Sequence, residues 1–227
     1  MEPRMSTDID TTSALLQGLS VGAAIIWALK VHEPPNPLRF LAKFLSVSLL
    51  SLLAFLRGAP TPLVLALGLS SLGDASLALG RGSATLLGAI VNFLIAHVLY
   101  IALFRHHGAD FALVSGDRYR LLLSVVTLAH GCVASYLILP RVKGSIRLPC
   151  AVYVGVLVTM ALYAYAMPSS QIAFGGAIFV VSDTLIGVNR FYFNDESAYR
   201  LLIEQTIAVF YYSAQFLITS GGLKLLA

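Results

Sequence analysis

The chain has 227 residues, of which 58% are hydrophobic and 11% are charged, with a formal net charge of +4. Its mean hydropathy is +0.83. Soluble domains carry about 25% charged residues, so this composition excludes an ordinary soluble domain and is typical of an integral membrane protein. We therefore expect an all-α fold, a polytopic membrane bundle of helices.

Eight apolar runs follow one another along the chain, separated by short segments rich in Pro, Gly, Arg, Asp or Asn. A membrane-spanning helix needs roughly 20 apolar residues, and each run is close to that length. The predicted spans are 15–31, 38–56, 61–80, 84–104, 118–139, 147–167, 171–190 and 198–224. The segments between them are too short for a separate soluble domain, so we predict a single eight-helix transmembrane domain over 15–227.

The first fourteen residues, 1–14, carry two Asp and one Glu against one Arg. A cleavable signal peptide has a basic region in this place, so the first span is expected to remain as a membrane anchor. We predict that residues 1–14 form a disordered tail.

Two aspartates interrupt apolar spans. Asp74 lies in "LGLSSLGDASLALG" of the third span, and Asp183 lies in "AFGGAIFVVSDTLIGVNRF" of the seventh. An ionised Asp at the centre of a lone membrane helix costs roughly 2.5 to 3.5 kcal/mol. Either the carboxyl faces a polar interior, or burial raises its pKa until it is neutral. A purely structural role is the weaker explanation for this pair.

Other polar side chains within the spans fall into stripes of helical periodicity. The stripes are Phe93, His97, Tyr100 and Phe104 in the fourth span, Gly176, Phe179, Asp183 and Arg190 with Ser182 and Asn189 in the seventh, and Glu204, Tyr211 and Gln215 with Tyr212 in the eighth. One polar cavity shared by these helices would explain all three stripes, and Lys43 in the second span is a further charge that it could hold.

Simpler roles remain open for several of these residues. His130 or Gln215 could form a hydrogen-bonded bridge between helices, and Glu204 could be solvated near the membrane surface. Arg190 is expected to snorkel to that surface. A zinc site built from His97, His130 and an aspartate is disfavoured because no close ligand pair such as H-x-x-x-H occurs, so we predict no metal site.

Several short pieces, in their order and spacing, resemble the lysoplasmalogenases, the YhhN-like membrane proteins. The pieces are "LGD" at 72–74, "FLIAHVLY" at 93–100, "LPCAVYVGVLVTM" at 148–160, "GGAIFVVSD" at 175–183 and "FYYSAQFLI" at 210–218. The resemblance runs from Lys43 to the end of the eighth span. One departure is Phe44 after Lys43, where the family pattern tends to have Pro.

The resemblance implies hydrolysis of the vinyl ether bond of lysoplasmalogens, which releases a fatty aldehyde and glycerophosphocholine or glycerophosphoethanolamine. It implies no cofactor. The expected partners are a lysophospholipid substrate and the lipid bilayer, with no nucleic acid. The expected location is the endoplasmic reticulum membrane of a eukaryote or the cytoplasmic membrane of a bacterium.

This chemistry needs one proton donor and one group that stabilises an oxocarbenium ion or activates water, as in glycosidases. We assign Asp183 as the acid because its flank is more apolar, and Asp74 as the carboxylate. The reverse assignment stays open. The predicted substrate-binding residues are Lys43, Asn92, His97, Tyr100, Tyr153, Ser182, Tyr211, Tyr212 and Gln215. Lys43 is expected to bind the phosphate, with Arg190 second, and Phe93, Phe179 and Met160 to line the cavity for the chain.

A proton-coupled transporter is the main alternative, because membrane carboxylates with a Lys also occur in that class. Asp74 and Asp183 lie in the third helix of each four-helix half, which is consistent with an internal repeat. However, paired interruptions by Pro or Gly in both halves, typical of broken transporter helices, are absent: Gly175-Gly176 has no evident counterpart.

Overall fold

The computed structural model describes residues 3–193 and 199–226, with side chains described for 10–193 and 199–225. These residues form α-helices, short 3-10 helices and turns, with no β-strand among them. The α-helices are α1 (Pro3–Lys30), α2 (Pro37–Leu56), α3 (Thr61–Ala78), α4 (Ser83–His106), α5 (Phe111–Gly116), α6 (Arg118–Ile138), α7 (Arg147–Tyr165), α8 (Ser170–Phe191) and α9 (Arg200–Leu223). The predicted all-α fold is confirmed.

Within the described residues, eight of these helices are long and apolar enough to cross a membrane; α5 is too short. The predicted bundle of eight transmembrane helices is therefore confirmed. Large apolar side chains are exposed on its outside, for example Leu122 (61%), Leu148 (72%) and Phe174 (61%). Such an exposed apolar surface suits contact with lipid chains.

The helix ends agree with the predicted spans to within a few residues, with two differences. Helix α1 begins at Pro3, so residues 3–14 are helical where a disordered tail is predicted. No Pro or Gly occurs between Pro3 and Gly18, and Pro is tolerated at a first helical position. The short helix α5 lies in a segment predicted to be a loop, and Asp110 caps its N-terminus by accepting a hydrogen bond from the Ala112 amide at 2.8 Å. The predicted start of the eighth span, 198, lies outside the described residues.

Capping and turn residues determine where α2 begins and ends. Asn36 precedes α2 and accepts a hydrogen bond from the Arg39 amide at 2.9 Å, with Pro37 at the first helical position. After α2 the chain reverses at Gly58, whose φ of +66° favours glycine. The turn between α2 and α3 is thereby kept short, and the two helices pack as antiparallel neighbours.

Seven transmembrane helices form a closed ring of neighbours, in the order α1, α2, α3, α4, α7, α8, α9 and back to α1. Helix α6 packs outside this ring, against α7 and α8. Helix α9 also contacts α2 and α3 across the ring. The polar side chains of α2, α3, α4, α7, α8 and α9 therefore face a common interior.

Candidate active site

Asp74 is buried on α3 and has two polar partners from other helices. Its Oδ1 atom lies 3.4 Å from Nζ of Lys43 on α2, and its Oδ2 atom accepts a hydrogen bond of 2.6 Å from the Tyr211 hydroxyl on α9. The Asp74 side chain is 2% exposed and that of Lys43 is 12% exposed. An ammonium and a hydroxyl donor thus compensate this carboxylate inside the bundle.

A chain of hydrogen bonds extends this arrangement to α4. Gln215 donates to the Tyr211 hydroxyl at 3.3 Å and accepts a hydrogen bond of 2.6 Å from the Tyr100 hydroxyl. All three side chains are almost fully buried. The rings of Phe93, Phe179 and Trp27 pack edge-on against Tyr211, with centroid distances of 5.6 to 5.9 Å. Tyr211 is therefore held in one orientation by packing and hydrogen bonding, and it presents its proton to Asp74.

Asp183 has a different environment on α8. Its Oδ2 atom accepts a short hydrogen bond from the Tyr153 hydroxyl on α7. No ion pair is formed by this carboxyl within the described part of the chain. It lies within electrostatic range of both Asp74 and Lys43. The two aspartates therefore share one interior, but only Asp74 has a neighbouring cation as a direct partner.

His97 lies between these two groups of residues. Its ring is fully buried and packs edge-on against Tyr153 and Phe179, at centroid distances of 5.4 and 4.9 Å. Its Nδ1 atom is 2.5 Å from the Phe93 carbonyl oxygen, which only accepts, so Nδ1 carries a hydrogen. The Nε2 atom makes no hydrogen bond with the described residues. In the neutral ring, Nε2 is an available acceptor.

An apolar groove runs between α4, α6, α7 and α8, and Asp183 and Tyr153 lie in its wall. The rest of this wall is mainly aliphatic, with Leu86, Leu157, Val180 and Ile186 among its residues. The predicted lining residues Phe93, Phe179 and Met160 are instead buried in the core. Phe93 and Phe179 pack against Tyr211, so they do not line the groove as predicted.

Lys43 lies in the wall of a polar cavity of about 450 Å³, here called the vestibule. It is formed at one end of the bundle by residues of α1, α2, α3, α8 and α9, by the 31–35 loop and by the turn after α3. Ile186 and Arg190 line both the vestibule and the apolar groove. The two cavities therefore meet along α8, within two helical turns of Asp183.

Three predicted substrate-binding residues have other partners. The Asn92 amide donates to the Gly88 carbonyl of its own helix at 2.8 Å, and Ser182 donates to the Ile207 carbonyl at 3.4 Å. The Tyr212 hydroxyl is 2.8 Å from that of Ser20 on α1. Asn92 is thus bonded within α4, whereas Ser182 and Tyr212 connect helices, and none of the three forms a hydrogen bond with either aspartate among the described residues.

The structure also places His130, Gln215 and Glu204, for which a bridging or solvated role stays open from the sequence. His130 Nε2 is 2.8 Å from the Thr184 hydroxyl, so it bridges α6 and α8. Gln215 is likewise a bridge, between Tyr100 and Tyr211. Glu204 lies in the vestibule wall and binds the Arg200 guanidinium at 2.9 Å. Among the described residues, no group of three His, Cys, Asp or Glu is placed to hold a metal ion.

Trp27 is a residue of the site that the sequence analysis does not identify. It is 4% exposed, and its ring lies 4.9 Å from Lys43 Nζ and in edge contact with Tyr211. A cation over an indole ring is stabilised by the ring quadrupole. Trp27 is the single tryptophan of the chain, which is the one sequence signal that distinguishes it from the other apolar residues of its helix.

Comparison with protein-family models matches residues 38–222, most of the chain, to the YhhN family. No curated protein and no solved structure matches the chain. The matched range includes Lys43, Asp74, Asp183 and the hydrogen-bonded residues around them.

Proposed function

The chain belongs to the YhhN family, the family of lysoplasmalogenases, and we propose that it hydrolyses the vinyl ether bond of a lysoplasmalogen. The products are a fatty aldehyde and glycerophosphocholine or glycerophosphoethanolamine. The observation that carries the proposal is the contrast between two carboxyls of one interior: among the described residues Asp74 has a cationic partner, whereas Asp183 has a hydroxyl partner at an apolar groove. A proton donor and an ionised carboxylate are the two groups that this reaction requires.

Asp183 is assigned as the general acid. Its carboxyl lies in the groove wall, where an alkenyl chain would pass, and an apolar surrounding favours the neutral form of a carboxyl. The Tyr153 hydrogen bond occupies Oδ2, which leaves Oδ1 to carry the proton. Asp183 transfers this proton to the alkenyl carbon β to the ether oxygen, and the ether oxygen shares the resulting positive charge as an oxocarbenium ion.

Asp74 is assigned as the ionised carboxylate. Lys43 and the Tyr211 hydroxyl both favour the charged form, and the carboxylate is within electrostatic range of Asp183. Its negative charge stabilises the oxocarbenium ion. Water then adds to this ion, its proton returns to Asp183, and the hemiacetal collapses to the aldehyde and the glycerol hydroxyl.

His97 is assigned as the acceptor that orients the water. Its Nδ1–H is bound to the Phe93 carbonyl, so the ring is fixed and Nε2 is the free acceptor. The ring contacts Tyr153, the partner of Asp183. A water that donates one hydrogen to Nε2 would lie near the protonated substrate, and its other proton would return to Asp183.

The first test is aldehyde release from an alkenyl lysophospholipid by the purified chain in detergent, without a membrane gradient. Asp74→Asn and Asp183→Asn are each expected to abolish turnover. Asp10→Asn is the matched control, because Asp10 is an exposed carboxylate that pairs with Arg57, and it should keep wild-type activity. Folding of all variants is compared by size-exclusion chromatography and thermal unfolding.

Full activity in folded Asp74→Asn or Asp183→Asn would refute the two-carboxylate mechanism. No aldehyde from the folded wild type, over several headgroups, would refute the hydrolase assignment, and proton-coupled transport in liposomes would then be measured. The helices are those of a multi-pass membrane protein, and we assign it to the endoplasmic reticulum in a eukaryote or to the cytoplasmic membrane in a bacterium.

A further inference from the structure

The vestibule has an excess of positive charge. Five Arg and Lys side chains line it against two carboxylates, among the residues that the structure describes. They are Arg39, Lys43, Arg81, Arg190 and Arg200, with Glu33 and Glu204. His32 also lines this cavity. Because Lys43 is paired with Asp74 and Arg200 with Glu204, the charges that favour an anion here are those of Arg39 and Arg190.

Both carboxylates already have cations of their own. Glu33 accepts a hydrogen bond of 2.5 Å from Lys30, and this bond is the main cause that lowers the pKa of Glu33. Glu204 binds Arg200 at 2.9 Å and accepts a hydrogen bond of 3.4 Å from the Asn189 amide. Glu204 is also within electrostatic range of Arg39, so its charge is shared between Arg39 and Arg200, and neither carboxylate forms an ion pair with Arg39 or Arg190 among the described residues.

Among the described residues, the hydrogen bonds of Arg39 and Arg190 go to backbone carbonyls. Arg39 Nη1 donates to the Glu33 carbonyl at 2.6 Å, while its Nε is buried without a hydrogen bond to the described residues. Arg190 Nη2 donates to the Arg81 and Gly82 carbonyls at 2.6 and 3.2 Å. Each guanidinium is thus oriented by backbone contacts and keeps donors for another acceptor. Guanidinium groups match phosphate oxygens in charge and geometry.

The position of these arginines relative to the aspartates is also informative. Arg190 follows Asp183 by seven residues on α8, about 10 Å along the axis, and Arg39 precedes Lys43 by four residues on α2, about 6 Å. Arg190 also lines the apolar groove at its junction with the vestibule. In a lysolipid the three glycerol carbons separate the phosphate from the vinyl ether, and the long arginine side chain can span the rest of the distance along α8.

We infer that the vestibule binds the phosphate of a single-chain phospholipid through Arg39 and Arg190, while the chain lies in the apolar groove. This site rests on the proposed function, because the glycerol then places the ether bond beside Asp183. Lys43, which the sequence analysis assigns to the phosphate, serves instead as the counter-ion of Asp74. The shared residues of the two cavities connect a polar and an apolar subsite, as a single-chain amphiphile requires.

Trp27 allows binding to be measured without catalysis. It is the single tryptophan, and it lines the vestibule beside Lys43. The full chain in detergent is titrated with a saturated 1-O-alkyl lysophospholipid, which has no vinyl ether to cleave, and Trp27 fluorescence is followed. A saturable change is expected in the wild type, and Trp27→Phe, which lacks the fluorophore, defines the background.

Arg39→Gln and Arg190→Gln are each expected to raise the dissociation constant about tenfold or more. Arg57→Gln is the matched control: Arg57 follows the last residue of α2, at the opposite end from Arg39, and pairs with the exposed Asp10, so wild-type affinity is expected. If Arg39→Gln does not fold, Arg39→Lys keeps the charge but loses the planar fork, and a smaller rise is expected.

Two further ligands identify the source of the affinity. A 1-O-alkyl glycerol has the chain without the phosphate, and its weaker binding should be the same in the wild type and both arginine variants. Inorganic phosphate tests whether the free anion suffices, and it is expected to bind far more weakly than the lipid. If the arginine variants lose as much affinity for the alkyl glycerol as for the lysophospholipid, the substitutions damage the protein generally and the assignment is overturned. Unchanged lysophospholipid binding in both variants would also overturn it.

The binding assay and the aldehyde assay distinguish failure of the phosphate site from failure of the hydrolase assignment. Arginine-dependent binding without aldehyde release from the vinyl ether substrate would support the phosphate site and refute the reaction. Aldehyde release whose KM is unchanged in Arg39→Gln and Arg190→Gln would support the reaction and refute the phosphate site.

Discussion

Lys43 and Asp74 face each other across the contact between α2 and α3, with Nζ 3.4 Å from Oδ1 and both side chains nearly buried. A buried ion pair adds little net stability compared with an apolar pair, but removing one partner leaves an uncompensated charge. Replacing one member of the pair is therefore expected to lower the free energy of unfolding more than replacing both.

Lys43→Met and Asp74→Asn are each expected to lower the free energy of unfolding by about 3–5 kcal/mol. The measurement is denaturant-induced or thermal unfolding in detergent. Lys30→Met is the matched control, since Lys30 forms an ion pair with Glu33 at 2.5 Å while 39% exposed, and little change is expected. Equal losses in Lys43→Met and Lys30→Met would contradict a special role for the buried pair.

Combining Lys43→Met with Asp74→Asn should restore part of the stability lost in either single variant, because no unpaired charge remains. Aldehyde release should stay absent in the double variant, since the carboxylate is still missing. Strictly additive losses of stability would show that the two side chains act independently, and recovered activity would exclude Asp74 from the reaction.

The hydrogen bond from Tyr153 to Asp183 leads to a second prediction. Tyr153→Phe removes a donor that orients the acid, at a cost of about 1.5–3 kcal/mol in the transition state. The turnover number should fall about 10- to 100-fold. Tyr165→Phe is the control, because the Tyr165 hydroxyl is also buried, at 2.9 Å from Thr127, but away from both aspartates. It should lose stability without loss of turnover, and an equal fall in turnover would contradict the role of Tyr153.

Gln215 connects Tyr100 and Tyr211 by two buried hydrogen bonds. Gln215→Leu keeps the side-chain size but leaves both hydroxyls with fewer partners, so we expect about 1–3 kcal/mol less stability. Turnover should also fall, because Tyr211 is the donor to Asp74. Thr219→Val, one turn along the same face of α9, removes a single bond to the Gln215 carbonyl and should keep turnover. Equal turnover in the two variants would show that the chain of bonds does not act on Asp74.

The membrane helices and the charged residues of the site could be predicted from the sequence for the same physical reason. A bilayer needs about twenty apolar residues per helix, and a charge within such a run is costly enough to be conspicuous. Asp74, Asp183 and Lys43 are identified in this way. The six-residue helix α5 is missed because it is too short to show a periodicity within a polar segment.

The partners of these charges could not be predicted, because they depend on which helices meet. The contacts of α4 with α7 and of α9 with α1 join helices that are distant in sequence. Trp27 is itself apolar, so its polarity does not distinguish it from the rest of its helix. Arg39 lies in the first turn of α2, where it resembles an ordinary charge at the membrane surface. Asn92 and Tyr212 fit the polar stripes but make their hydrogen bonds elsewhere.

The close approach of α8 and α9 leads to the last prediction. A Cβ atom at Gly175 would lie 2.9 Å from Ile218 Cγ1 and 3.1 Å from the backbone oxygen of Ala214, next to Gln215. Gly175→Ala should therefore move α9, lower stability by about 1–3 kcal/mol and reduce aldehyde release. Gly155→Ala is the control, since a Cβ there meets nothing within 4 Å and the residue is within α7; stability should be unchanged or up to about 1 kcal/mol higher. Wild-type unfolding and turnover in Gly175→Ala would show that this helix contact does not position Tyr211 and Gln215.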